Sequence, residues 1–336
     1  MSYESTNQLP NDTRIKDVLE FIELLNYCRV LHSKLRLKDK VAEYYFFEED
    51  EYKSWSGIGL SVFQKKGDGV VVYTRTPISR SYYDLTHQNH TIRSLKRRFG
   101  GSFETDGGKG RYLHPKRDPP LPQESGCYLA FQRFGNNLIK ADIYLQGRTF
   151  PNKQWEKTGI LEFMDAINPR LLSNNLLLPY LVSVLEDYFK STFIALLRYS
   201  ERKEIFFKGT RLSAENLAKI SSQEMSVEEA VAESLPFQRI SPICQHFRAL
   251  DSKLDLAGIL LRPYRRRKIK LFEELDALTL RRHSFIHKGT MDITFGDADV
   301  RRALNDLEAS VVRCYRRITD HYGWAFDQGW SRGREA

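Results

Sequence analysis

A chain of 336 residues is long enough for two domains, each with its own core, and 41% hydrophobic with 28% charged residues describes a globular protein. The net charge of +9 is spread along the chain and favours polyanionic partners such as RNA or DNA. Four dispersed cysteines, Cys28, Cys127, Cys244 and Cys314, argue against a disulfide framework and a zinc site, and no apolar run approaches the ~20 residues that span a bilayer. With a polar start over Met1 to Asp12, these features predict a cytoplasmic protein with no membrane partner.

Taken in order, residues 14–37 read as an amphipathic helix, with Ile15, Val18, Leu19, Ile22, Leu25 and Leu35 at helical spacing behind Asn11-Asp12-Thr13. Gly59 to Phe63 and Val70 to Thr74 read as a hairpin about the Lys65–Gly69 turn. The basic segment Thr91 to Phe99 suits a short helix stopped by Gly100-Gly101, followed by a glycine-rich loop and the proline-rich 118–122. Cys127 to Phe134 and Leu138 to Leu145 suggest a second hairpin about Gly135-Asn136-Asn137. The polar stretch 148–158 is the expected domain boundary.

Beyond it the pattern turns helical. A short helix is predicted over 160–167, then a long apolar one over about 176–200 capped by Asn174-Asn175, with Pro179 tolerable near its first turn. Ser213 opens another helix, and Ser226-Val227-Glu228-Glu229 is a capping box for a further one. Helical spacing continues from Pro236 to Leu261. Arg262 to Lys270 holds six basic residues and leads into a helix bearing Leu271, Leu275 and Leu278. A last helix, about 297–322, begins acidic and ends among Arg313, Arg316 and Arg317, the order a helix dipole favours.

Three constellations carry candidate chemistry. The glycine-rich loop 107–110 fails as a phosphate loop, because Lys109 is followed by Gly110 and the earlier glycine is at the wrong offset. The basic residues around it, Lys96, Arg97, Arg98, Lys109 and Arg111, are interleaved with Phe99, Phe103 and Tyr112. That mix holds phosphates and stacks bases, unless the aromatics belong to the core. Glu186 and Lys190, one turn apart, form at least an ordinary helix ion pair. The third is Arg281-Arg282-His283-Ser284-Phe285-Ile286-His287-Lys288-Gly289. Arg282 occupies the apolar stripe where another Leu is expected, His283 and His287 lie one turn apart beside it, and Gly289 stops the helix. A guanidinium that is partly buried must find anions or acceptors; a buried ion pair beside two surface histidines is the plain alternative. No Ser-His-Asp order, His-Glu-x-x-His helix or dinucleotide fingerprint accompanies them.

On these residues the C-terminal half, about 160–325, resembles the HEPN superfamily of helical-bundle nucleases and nucleic-acid-associated proteins. Arg282-His283-x3-His287 is similar to its Arg-x4–6-His motif, including the polar residue after the arginine. Leu185-Glu186-Asp187-Tyr188-Phe189-Lys190 looks like the Glu-x3-Lys signature of the first long helix. The resemblance implies a metal-independent endoribonuclease without cofactor, acting on RNA at sites formed where two protomers meet. Many relatives are prokaryotic toxins or anti-phage proteins, which adds an antitoxin or trigger ligand to the expected partners; others have lost activity.

The chemistry is compatible with that implication. Metal-free RNA cleavage needs a base for the 2′-hydroxyl proton, a cation for the phosphorane and an acid for the leaving 5′-oxygen; histidine and arginine supply these. Residues five apart on a regular helix diverge by about 140°. Arg282 and His287 therefore converge on one phosphate only if the helix unwinds, or if each protomer supplies part of a shared groove.

The expectation is a two-domain protein: an α+β domain over 1–150, with RNA or trigger recognition through Lys96, Arg97, Arg98, Lys109 and Arg111, and an all-α HEPN-like bundle over 160–325. In the bundle Arg282 binds phosphate, His287 is the acid/base, His283 assists, and Glu186 and Lys190 support them. A catalytically silent binding module and a regulatory protein sensing a phosphorylated ligand are the rival readings.

Overall fold

The computed structural model describes residues 2–31, 39–65, 69–149, 168–330 and 332. They fall into two compact units, Met1–Ser125 and Gly126–Ala336. The division precedes the polar stretch expected to carry it, for a reason given by the helix in whose first turn Ser125 lies.

In the first unit an antiparallel sheet carries two helices. The elements are β1 (Tyr3–Gln8), α1 (Ile15–Leu24), β2 (Cys28–Arg29), β3 (Lys40–Phe46), β4 (Ile58–Lys65), β5 (Gly69–Thr76), α2 (Tyr82–Phe99), β6 (Ser102–Thr105) and β7 (Gly108–Lys109). The strand order is β2-β3-β4-β5-β1-β6-β7. The predicted hairpin is β4–β5, in register from Gly59↔Arg75 to Lys65↔Gly69. The helix expected over 14–37 ends at Leu24, and the chain returns as β2 beside β3; residues 32–38 of that expectation lie outside the described residues. Alternate residues of β3, β4 and β5, among them Tyr44, Leu60, Val62, Val70 and Val72, form one buried cluster with Val18, Ile22 and Leu95. The glycine-rich loop is the turn between β6 and the short β7.

α2 is twice the length read from the sequence because its first half buries polar residues. Ser81 and Asp84 form a capping box, and Asp84 Oδ2 also accepts from the backbone amides of Trp55 and Ser56. Gln88 donates to the Tyr3 carbonyl and to Thr74 Oγ1, and accepts from Thr76 Oγ1 at 2.8 Å. Partners on the sheet for Gln88, and on the loop at 55–56 for Asp84, replace the apolar period a sequence reading looks for.

The second unit is helical: α3 (Pro122–Gly147, opening at the boundary), α4 (Pro169–Arg198), α5 (Lys203–Gly209), α6 (Ala214–Ser221), α7 (Val227–Ser234), α8 (Ile240–Leu250), α9 (Leu256–Leu260), α10 (Leu271–Lys288) and α11 (Asp297–Tyr322). The hairpin expected over 127–145 is instead α3. Its buried residues Cys127, Phe131, Phe134, Leu138, Ala141 and Leu145 recur every three or four positions, and Gly135, read as a turn, is a packing site. A Cβ there would lie 2.3 Å from the Trp330 ring. This helix belongs to the second core, so the units part at its first turn.

The helix predicted over 160–167 lies outside the described residues. α4 begins earlier than expected: Asn168 is its N-cap, Pro169 sits in the first turn, and Asn174 and Asn175 are buried within the helix. Pro179 therefore falls in the helix interior, where it removes a backbone donor at a cost of roughly 3 kcal/mol. Burial of Leu178, Leu181, Val182 and Leu185 around it offsets that cost. Ser213 and Ser226 cap α6 and α7 as read, and α11 spans the predicted residues. Among the described residues no helix is long and apolar enough to cross a membrane.

Candidate active site

α10 packs on α4 and α11. Leu271, Leu275, Leu278 and Thr279 are buried. One turn later the same stripe presents Arg282, half-buried, and then Phe285 and Ile286, partly exposed, before Gly289 closes the helix at φ 62°. Glycine reaches that left-handed conformation without the strain a Cβ brings.

The loop after α10 is pinned to α4 by the two asparagines read as caps. Asn175 donates to the Asp292 carbonyl at 3.0 Å and accepts from the Asp292 amide at 2.9 Å. Asn174 donates to the Phe295 carbonyl and to Asp297 Oδ1, at 3.0 and 3.1 Å. Asp297, opening α11, also receives Arg148 at 2.6 Å and Arg170 at 2.7 Å. Burial raises the Asp297 carboxyl, but the hydrogen bonds from Arg170 and Asn174 and the charges of Arg148 and Arg170 outweigh it and hold it below the ordinary value. The start of α11, the end of α3 and the start of α4 are thereby tied to the loop that follows the Arg282 segment. Sequence reasoning missed this clamp because buried asparagines carry no periodic signal.

Across this packed pair, Arg282 of α10 lies close enough to Glu186 of α4 for its charge to act on the carboxyl. Burial lifts the Glu186 carboxyl above its ordinary value, opposed by the positive charges of Arg282 and Lys190. Glu186 Oε1 and Arg282 Nε are both buried without a hydrogen-bond partner. Lys190 is not the simple i,i+4 partner of Glu186: its Nζ lies 3.5 Å from Glu233 of α7. Two cations thus border one carboxylate, and the arginine keeps a desolvated donor.

The histidines sit apart from that cluster. His283 and His287 are exposed, their ring centroids 4.4 Å apart one turn from each other. α10 remains helical through Lys288, so His287 points about 140° away from Arg282 around the axis. Within one chain these two side chains do not converge. Arg281, on a third direction, lies 3.4 Å from Asp292 and 5.2 Å from the Phe295 ring centroid, beside a cavity of about 60 Å³.

In the first unit Lys96, Arg97, Arg98, Lys109 and Arg111 are all exposed. Their aromatic neighbours are committed to the fold. Phe103 is buried, Phe99 packs edge-on against Phe21 at 5.5 Å, and Tyr112 lies 4.8 Å from Phe103. Lys96 and Arg93 cover Phe103 and Tyr112 at 5.3 and 5.5 Å. The patch offers charge to a polyanion, while its aromatics follow the alternative reading and belong to the fold rather than to a free stacking platform.

Comparison of the chain with protein-family models, with curated proteins and with solved structures gave no match.

Proposed function

We propose that the second unit is a HEPN-like bundle that acts as a metal-independent endoribonuclease at a site shared between two protomers. The observation that carries the reading is the electrostatic coupling of Arg282 with Glu186 between α10 and α4, with a buried, unpartnered Nε on the arginine. An unfilled guanidinium donor in a partly desolvated position is what a phosphorane oxygen would occupy. Arg282 binds phosphate and stabilises developing charge; Glu186 positions the guanidinium by its opposite charge, and Lys190 supports the carboxylate in its ionised form. His287 moves the 2′-hydroxyl proton and His283 orients it.

Because α10 stays regular through Lys288, a shared groove is the arrangement that brings the pair to one phosphate. Both helices carry exposed apolar side chains: Leu172 and Leu176 on α4, Leu280 and Ile286 on α10. They supply a surface for a second copy of the chain. The cytoplasm is the compartment proposed, an antitoxin or trigger ligand the proposed regulator, and the first unit the proposed recognition element. Reversing Lys96, Arg97 and Arg98 together should weaken RNA binding and flatten its salt dependence; unchanged affinity and slope in a folded variant would remove that role.

The experiment that tests the whole reading is incubation of the pure protein with total RNA in EDTA, beside an Arg282→Ala/His287→Ala variant. Fragments from the wild type alone support it, and RNA left intact by both contradicts it.

A further inference from the structure

The loop between α9 and α10 and the later turns of α11 build a second basic feature. Arg262, Arg313, Arg316 and Arg317 line an open cavity of about 500 Å³, in which Asp320 supplies a carboxylate among the described residues. The 313, 316, 317 spacing places three guanidiniums on one face of α11. A helix dipole does not account for them, since its influence falls off within the last turn and Arg313 lies well before Tyr322.

These side chains are held in place. Arg313 donates to the carbonyls of Arg262 and Pro263, at 3.2 and 2.9 Å, and lies 5.1 Å from the Tyr264 ring centroid. Arg317 donates to the Lys253 carbonyl at 2.8 Å, and Arg316 lies 4.5 Å from the Phe326 centroid. Arg267 differs from these four, because Asp306 binds it with both oxygens and Glu274 lies 3.6 Å away; it pins the loop and its charge is met. Arg265 and Arg266 adopt positive φ, 49° and 58°, a conformation unfavourable for residues with a side chain, and both are exposed beside the groove's rim residue Arg262 in sequence. Three fixed cations and the exposed Arg262 around one cavity repel one another, and an anion between them relieves that repulsion.

We propose that this groove binds the phosphodiester backbone of single-stranded RNA, separately from the Arg282 cluster. The ligand class rests on the nuclease reading. The charge extends over more than one helical turn of about 5.4 Å, which suits successive phosphates better than one isolated phosphate. Arginines fixed by carbonyls and aromatic rings meet phosphate oxygens without further ordering.

The test uses the full chain carrying Arg282→Ala/His287→Ala, so that RNA survives, titrated in EDTA with a short labelled single-stranded RNA at stepped salt. Adding Arg262→Glu and Arg316→Glu should weaken binding at least tenfold. It should also reduce the slope of log affinity against log salt by about 1.4, two phosphates at ~0.7 each. Arg262→Lys with Arg316→Lys should retain most of the slope, which separates lost charge from lost folding. Reversal of Arg14 and Lys16, exposed in the first unit, should change little. Unchanged affinity and slope in the glutamate variant would overturn the proposal, as would a groove that takes tripolyphosphate while RNA fails to compete. If the groove variant loses RNA binding although the wild type cleaves nothing, the groove stands and the nuclease reading falls. If wild-type and groove-variant proteins, both with Arg282 and His287 intact, cleave alike and bind alike, the groove falls and the nuclease reading stands.

Discussion

The charge of Arg282 acts on the Glu186 carboxyl between the packed helices α10 and α4, and each residue keeps a buried polar atom, Nε and Oε1, without a hydrogen-bond partner. Neither gains the full benefit of a buried ion pair, and both bear the cost of burial. Such a pair is poorly explained by stability and better explained by a third group that completes it.

The pH dependence of stability follows from Glu186. Burial sets its carboxyl above the ordinary 4.5, with Arg282 and Lys190 opposing. A carboxyl raised in the folded state contributes stability at low pH that is lost as pH rises through the folded value. Glu186→Gln should therefore melt with the wild type in acid and above it at neutral pH. Arg282→Ala, which removes an opposing charge, should steepen the loss. Thermal melts across this range check both; a Glu186→Gln protein less stable than wild type at neutral pH would show that the carboxylate is well paired after all.

The proposed sharing of the site between protomers makes a mixing experiment decisive for oligomeric state. If Arg282 of one protomer works with His287 of the other, a heterodimer of Arg282→Ala and His287→Ala chains retains one intact site. Random exchange of the two inactive proteins should then restore about a quarter of wild-type cleavage, half the dimers each with one of two sites. Ile286→Asp, at a side chain 44% exposed, should give a monomer by light scattering and abolish the restoration. A wild-type monomer at micromolar concentration that cleaves RNA would dismiss the dimer.

In the first unit His87 lies flat on Phe46, ring centroids 3.7 Å apart, with its Nε2 buried and unpartnered. Burial, then the neighbouring His90, pushes its imidazole down from 6.5 to about 4. A depressed histidine contributes stability that is full above its unfolded value and lost as pH falls through the interval toward the folded one. The opening free energy read from hydrogen exchange over α2 and β3, corrected for the intrinsic rate at each pH, should fall between about pH 6.5 and 4, and His87→Phe, which keeps a ring on Phe46, should flatten that response. An equal slope in the variant would assign the acid lability elsewhere.

Much of the helical half was legible because its signals are local. The capping box at Ser226, the left-handed stop at Gly289 and the extent of α11 depend on neighbours in sequence. What was misread depends on distant partners. Gly135 resembles a turn residue until Trp330 packs on it, and Asn174 and Asn175 resemble caps until they hold the loop at 292–297. Lys190 found Glu233 rather than Glu186 for the same reason. Arg282 was visible as a charge on an apolar stripe. Its divergence from His287 was equally visible, as simple helix geometry.

The most direct measurement is the chemistry of the RNA ends left by the wild-type protein in EDTA. Attack by the neighbouring 2′-oxygen leaves a 2′,3′-cyclic phosphate and a 5′-hydroxyl, and a 2′-deoxy substitution at the cleaved position should block it. Arg282→Ala and His287→Ala should each lose at least ~100-fold in rate, with the double variant little worse than the poorer single one. A requirement for Mg²⁺, or 5′-phosphate ends, would contradict the mechanism and place the chemistry elsewhere in the chain.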